Sequence, residues 1–205
     1  MIFICGHHNS GKTTAAKYLK KFGFIHIETG NVVRQKHKEL APDVDFHQWA
    51  IRENHKFDKY IVDEILSARE KLIKSNGSLQ DIVITGNRQI EGINYILLRI
   101  PPIEGKKNLI IFLHVSDEIL FQRQILKPNR QATDLTFEEF KDELLRFDLQ
   151  MGIEKIKEKT NCVIYNEGPL ESFETEIRET LIKYGYKLPL LSLEGIISPN
   201  PERIV

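Results

Sequence analysis

The chain has 205 residues and balances 29 Lys+Arg against 29 Asp+Glu, which gives length for one domain with a buried core and no basic excess of the kind that marks a nucleic-acid binder. No charged leader precedes an apolar segment and no apolar run approaches about 18 residues, so the expectation is a soluble, cytoplasmic protein with no membrane partner. Cys5 and Cys162 lie in apolar runs without C-x-x-C or zinc spacing and read as reduced thiols, and the seven histidines show no H-E-x-x-H or paired ligand pattern.

The chain opens on a short apolar run, Met1 to Cys5, that predicts a buried strand, and G-x-x-x-x-G-K-T follows at once as Gly6-His7-His8-Asn9-Ser10-Gly11-Lys12-Thr13. Two glycines at this spacing let the backbone curl until successive N–H groups face inward and open onto a helix N-terminus, which is a nest for a polyphosphate. The motif assigns Gly6, Asn9, Ser10, Gly11, Lys12, Thr13 and Thr14 to ATP, with Lys12 reaching the β- and γ-phosphates and the Thr13 hydroxyl ligating Mg2+. The spacing leaves the roles of His7 and His8 open.

Thr13 to Phe22 predicts an amphipathic helix ended by Gly23, Phe24 to Glu28 a second strand, and Thr29 to about Glu39 a helix stopped at Pro42. Asp45 suits an N-cap for residues 46–54. A long helix is expected from Phe57 to Ser75 with Tyr60, Ile61, Ile65, Leu66, Ala68, Leu72 and Ile73 near one stripe, stopped by Asn76-Gly77. Asp81 to Thr85 is the third strand, Gly86 to Arg88 a loop, and Glu91 to Leu98 a helix broken before Pro101-Pro102. The continuous apolar run Leu109 to Val115 predicts a strand covered on both faces, followed by a helix capped by Asp117 and reaching Leu126. After the polar break 127–134, Thr136 to Glu139 carries a capping-box pattern that opens a long helix. Cys162 to Asn166 is the fifth strand and Leu170 to Tyr184 the closing helix. Five strands alternating with helices predict an α/β fold, a five-stranded parallel sheet with helices on both faces. Ligands of such sheets bind at the carboxyl ends of the strands, which gathers Gly6 to Thr13, Glu28 to Arg34, Thr85 to Arg88 and the segment after Val115 around one crevice.

With those loops placed, the chain resembles the P-loop nucleotide-kinase superfamily, whose P-loop NTPase three-layer sandwich is shared by adenylate and cytidylate kinases and dephospho-coenzyme A kinase. Ile27 to Arg34 is similar to the adenylate-kinase segment I-S-T-G-D-L-L-R, and Thr85-Gly86-Asn87-Arg88 to the D-G-x-P-R loop after the third strand. The far half, with Arg123 to Arg130, Arg146, Gln150 and Cys162 to Gly168, is similar to dephospho-coenzyme A kinase and archaeal proteins related to it. The resemblance implies a central first strand and a kinase domain over residues 1–185. It also implies acceptor-binding helices over about 40–76, a lid over about 123–135 and an unassigned tail over 186–205.

It further implies ATP-dependent phosphoryl transfer to a small nucleotide-type acceptor, foremost a nucleoside monophosphate. Thr29, Gly30, Arg34 and Arg88 would hold that acceptor, while Arg123, Lys127 and Arg130 would close over the transferring group, Arg130 against the nucleotide. Lys12, Arg88, Arg123 and Glu28 are the expected catalytic side chains. The chain departs from the family pattern at Thr85, where an acid is usual, and at Asn31 and Glu28, where adenylate kinases have Asp and Ser. Glu28 therefore reads as a base, a metal-water ligand or an exposed strand-end acid. A hydroxyl acceptor, as in dephospho-coenzyme A kinase, stays open, as does a regulatory nucleotide-binding protein; a GTPase would want N-K-x-D, which the sequence lacks. Oligomeric state is left open.

Overall fold

Five apolar runs pair into one parallel sheet in a computed structural model that describes residues 1–75, 80–127 and 135–188. The strands are β1 (Ile2–Cys5), β2 (Ile25–Glu28), β3 (Ile82–Thr85), β4 (Leu109–His114) and β5 (Cys162–Tyr165), in the order β2-β3-β1-β4-β5. Strand β1 is thus central, as the resemblance implied, with Phe3 opposite Ile84 on one side and Ile110 on the other. At the carboxyl edge Glu28 stands opposite Thr85.

Side-chain alternation sends successive strand residues to opposite faces, and each face needs a cover of helices. Phe3, Ile84 and Phe112 pack on one side against α4 (Phe57–Lys74), α5 (Ile90–Arg99) and α9 (Ile153–Lys159) through Ile65, Ile96 and Ile156. Ile4, Val83 and Ile111 pack on the other against α1 (Lys12–Lys20) and α10 (Leu170–Lys183) through Leu19, Phe173 and Ile177. Each fully buried aliphatic side chain is worth roughly 1.5–3 kcal/mol relative to exposure, so these two layers dominate the stability of the sandwich. Tyr186 joins the second layer, with its hydroxyl 3.2 Å from Asp81 Oδ2, so packed chain extends beyond Gly185.

The remaining helices frame the carboxyl edge. Helix α2 (Thr29–Leu40) leads to α3 (Phe46–Glu53), whose first turn is capped by Asp45 accepting from the N–H groups of His47 and Gln48 at 3.0 and 3.1 Å. Trp49 of α3 is 2% exposed, stacked on Phe57 with centroids 5.7 Å apart and 5.2 Å from the His37 ring, which pins α2, α3 and the start of α4 together. Helix α6 (Asp117–Ile125) follows β4 and packs through Leu120 and Phe121 on Phe140 of α7 (Phe137–Phe140).

Three expectations are corrected. Leu66 and Ile73 are 48% and 80% exposed; at 100° per residue they fall about 140° and 120° from Ile61, outside the arc that Ile61, Ile65 and Ala68 bury. Ser116, not Asp117, holds the N-cap position of α6, and Asp117 sits in the first turn, where its charge meets the helix dipole. The capping box of Thr136 and Glu139 forms, but the helix it opens passes through a π-helical turn, Lys141–Leu145, into α8 (Arg146–Gln150) and stops at Gly152, whose φ of 88° begins the separate α9.

Candidate functional site

The phosphate loop leaves the buried end of β1 through Gly6 at φ 142° and enters α1 through Gly11 at φ 99°, with Asn9 between them at φ 67°. Neighbours fill the space around both glycines. A Cβ on Gly6 would lie 2.5 Å from the Leu113 carbonyl oxygen, and one on Gly11 would collide with Asn166 Nδ2. Asn166, just past β5, donates from Nδ2 to the Ser10 carbonyl at 2.9 Å, and Asn9 Nδ2 donates to Gln124 Oε1 at 2.9 Å and the Leu120 carbonyl at 3.2 Å. The loop is therefore clamped from β5 and α6. Helix α1 has no acid in its first turn, so its N-terminal dipole is left for an anion, and among the described residues the buried Ser10 Oγ has no partner.

Lys12 Nζ donates to the loop's own carbonyls, Gly6 at 2.8 Å and His7 at 2.5 Å. Burial brings its pKa down to about 8, with Asp148 pulling it back up and Arg88 and Glu28 also acting on it. A desolvated ammonium that donates to neutral carbonyls exchanges them favourably for phosphate oxygens. The glycine cradle, the unpartnered Ser10 Oγ and the bare helix N-terminus fit a nucleoside triphosphate. Thr13 is exposed in the first turn of α1, and among the described residues no group of three or more His, Cys, Asp or Glu forms a metal site. Mg2+ would accordingly be held by the Thr13 hydroxyl, phosphate oxygens and water.

At the end of β3 the Thr85 hydroxyl lies 2.8 Å from His26 Nε2. The acid nearest the loop comes from α8 instead. Asp148 has a side chain only 2% exposed, accepts from the His8 N–H at 2.8 Å through Oδ2, and stands 3.2 Å from Arg88 Nε through Oδ1. Burial works to raise its pKa, but the His7 imidazole, the His8 N–H and the Arg88 charge outweigh that and hold it below the usual carboxylate range. His7 bridges outward, with Nδ1 3.5 Å from Asp148 and Nε2 3.3 Å from Glu154.

Burial, then the charges of Lys127 and Lys12, bring the pKa of His8 from 6.5 down to about 4. Between those values the unfolded chain binds a proton at this ring that the folded chain refuses, so stability falls as pH drops from about 6.5 towards 4. Asp148 adds its own loss only below the unfolded carboxylate range, because its folded pKa is depressed. Melting temperature should therefore fall from pH 7 to pH 5, and His8→Gln should flatten that slope; parallel slopes for the two proteins would count against a half-buried, neutral His8.

On the facing side, Glu28 accepts from Asn31 Nδ2 at 2.9 Å and lies 3.8 Å from Arg34 Nη2, which also donates to Asn31 Oδ1 at 2.7 Å. Thr29 Oγ1 fills the space where a Gly86 side chain would start, so the first turn of α2 and the loop after β3 are locked edge to edge.

A family profile described as "AAA domain" matches residues 5–141. The chain belongs to that family. Over 186 residues this AAA-domain chain is 25% identical to a UPF0200 protein of Pyrobaculum aerophilum, covering 89% of the chain and 97% of the relative. Among solved structures it is similar to a gluconokinase from Sinorhizobium meliloti 1021, with TM-score 0.56, 16% identity and coverage of 89% and 91% of the two chains. A shikimate kinase from Acinetobacter baumannii, solved with shikimate, gives TM-score 0.53 and 18% identity over 91% and 94%. These likenesses show the fold, a kinase-like P-loop sandwich. Among the described residues no helix is long and apolar enough to cross a membrane.

In this AAA-domain chain the fold gathers Lys12, Arg88 and Glu28 within electrostatic reach of one another. Arg34 sits with Glu28 and Asn31, and Arg88 with Asp148. Arg123 lies within α6 and donates to the carbonyls of Asn166 at 2.7 Å and Asn9 at 3.3 Å, clamping the phosphate loop. Arg130 and the rest of the expected lid between 128 and 134 lie outside the described residues, as does 189–205 of the expected tail. Asp148 and Gln124 escaped the sequence reading, since a single Asp or Gln within a charged helix carries no local mark of what it will face.

Proposed function

We propose that the protein transfers the γ-phosphoryl group of ATP, with Mg2+, to a small nucleotide-type acceptor, foremost a nucleoside monophosphate. The observation that carries this reading is the anion nest of Gly6 to Thr14 with a desolvated Lys12 at its mouth and Arg88 anchored beside it. An acceptor oxygen forms a bond to the γ-phosphorus as the bond to the β–γ bridging oxygen breaks, and ADP leaves. Mg2+ supplies charge neutralisation on the phosphates. The protein's share is positioning and further neutralisation, because phosphoryl transfer asks little covalent work of it. Lys12 follows the transferring group, Arg88 and Arg34 neutralise a phosphate-bearing acceptor, and such an acceptor needs no proton removed.

One observation favours a hydroxyl acceptor as the second reading. Arg34 and Arg88 each already face a carboxylate, Glu28 and Asp148, so the acceptor side is closer to charge balance than two bare arginines would make it. A hydroxyl would pass its proton to a carboxylate within hydrogen-bond reach, the role open to Glu28.

The test is a transfer screen with MgATP against nucleoside monophosphates, nucleosides and dephospho-coenzyme A, repeated with two variants on the best acceptor. For a phosphate acceptor, Arg88→Ala should lower kcat/KM by about 2 to 4 kcal/mol of transition-state stabilisation, the scale of one strong charge contact, while Glu28→Gln changes little. A crippled Glu28→Gln beside a mild Arg88→Ala gives the hydroxyl reading. MgATP binding with no transfer to any acceptor leaves a nucleotide-binding regulatory protein.

A further inference from the structure

The geometry points to Asp148 as a positioning residue that ties the phosphate loop to Arg88, so that the part of the site holding ATP and the part holding the acceptor share one carboxylate. The inference rests on the phosphoryl-transfer reading and names a residue that reading does not use. Asp148 is almost entirely withdrawn from water, with a side chain 2% exposed, yet it stands at the carboxyl edge of the sheet and not in either hydrophobic layer. An ionised carboxylate in such a place costs several kcal/mol unless its oxygens are met by donors and charge. Both oxygens are met, and by two separate segments. Oδ2 takes the backbone N–H of His8 in the phosphate loop, and Oδ1 takes Arg88 Nε in the loop after β3.

Each contact fixes something different. The bond to His8 holds a peptide plane in the variable part of the nest, two residues beyond Gly6, and adds one tie to those that Asn166 and Asn9 already make. The contact at Nε fixes the plane and direction of the planar guanidinium. Arg88 is therefore aimed by a residue that belongs to neither the nest nor the acceptor helices.

The helix bearing Asp148 is built to deliver it. Phe140 and Leu145 are both buried in the small core beneath α6, at a spacing of five residues, which is the hydrogen-bond span of the π-helical turn Lys141–Leu145 and one residue more than that of an α-helix. That turn keeps α7 seated on α6 while resetting the register of α8. Asp148, three residues past Leu145, then lies on the face next to the buried one and reaches the loop. A plain α-helix through the same residues would set Phe140 and Leu145 about 140° apart, so both could not be seated in that core. With Thr85 at the end of β3, Asp148 is a carboxylate that reaches the backbone of the nest from outside the strand ends.

The experiment is a double-mutant cycle in the full chain, using the best acceptor from the screen, with melting temperature and MgATP binding measured alongside. Asp148→Asn should lose about 10- to 100-fold in transfer, mostly in kcat, the scale of a reacting group displaced by about an ångström. MgATP affinity should change less than about threefold, because Asn166, Asn9 and Gln124 still clamp the nest. In the Arg88→Ala background, Asp148→Asn should cost no more than about threefold further, since it acts through a guanidinium no longer there. Asp148→Glu should recover part of the loss. Absence of transfer by the wild type would overturn this inference together with the reading it rests on. Wild-type transfer with an unimpaired Asp148→Asn, or with losses that multiply in the double variant, overturns this inference alone. If Asp148→Asn does not fold, Asp148→Glu carries the test: it keeps the charge but moves the carboxylate, and wild-type kcat in a protein melting within a few degrees of the parent would refute the positioning role.

Discussion

Lys12→Ala is expected to lose about three powers of ten in transfer while melting within a few degrees of the parent. The loss follows from where the ammonium stands. Lys12 Nζ is held at the mouth of the nest by the Gly6 and His7 carbonyls and is desolvated enough to bring its pKa to about 8. A cation in that setting is worth about 4 kcal/mol to charge developing on a transferring phosphoryl group, which is the thousandfold. Stability responds to two opposing effects of similar size. Truncation removes two hydrogen bonds to carbonyls, about 1 kcal/mol each, and also releases a buried charge whose desolvation opposes folding. Assays of transfer and thermal melting on one preparation decide the matter, and turnover near that of the parent would remove Lys12 from the reaction.

Gly6→Ala should do what Lys12→Ala does not, and damage the fold and the nest together. Alanine at φ 142° is strained, and its Cβ would stand 2.5 Å from the Leu113 carbonyl oxygen and 2.6 Å from Ser10 Oγ. Relief by movement is blocked, since Gly6 continues the central strand and Leu113 lies on the neighbouring β4. Strain and overlap together should cost about 3 kcal/mol, or roughly 6–12 °C in melting temperature for a chain of this size. MgATP binding should fall with it. Gly105→Ala is the control: its φ of 74° is also left-handed, but among the described residues nothing lies within 4 Å of the added Cβ, so only the backbone penalty of about 1 kcal/mol applies. Equal melting temperatures for the two variants would contradict the close approach of β4 to the loop.

What could be read from the sequence was what neighbours in sequence decide. Apolar runs such as Leu109 to His114 announce strands because both faces of a parallel sheet are buried, and the phosphate loop announces itself because two glycines, a lysine and a threonine act within one turn of chain. Asp45 and the Thr136–Glu139 box were legible for the same reason, as caps act over three residues. Asp148 was not, because its significance comes from His8, 140 positions away, and from a π turn that no simple periodicity foretells. The arginines show the intermediate case. The sheet rule placed Arg34 and Arg88 at the carboxyl edge, Arg34 early in α2 and Arg88 in the loop after β3, whereas the carboxylates each one meets are set by tertiary packing. Arg123 was visible as a cation after β4, but its use as a clamp on two backbone carbonyls depends on where α6 docks.

The aromatic cluster that joins α2, α3 and α4 has a practical consequence. Trp49 is the chain's one tryptophan, and it is buried between Phe57 and His37 at the centre of the helices expected to meet the acceptor. Indole emission from the unlabelled protein therefore arises from one site alone, about whose packing there is no averaging. Any ligand that shifts α3 against α2 alters the environment of a single fluorophore, while a ligand confined to the phosphate loop leaves it alone. Titrating ATP and then a candidate acceptor against that emission separates, in one cuvette, occupancy of the nest from movement of the helices beside it.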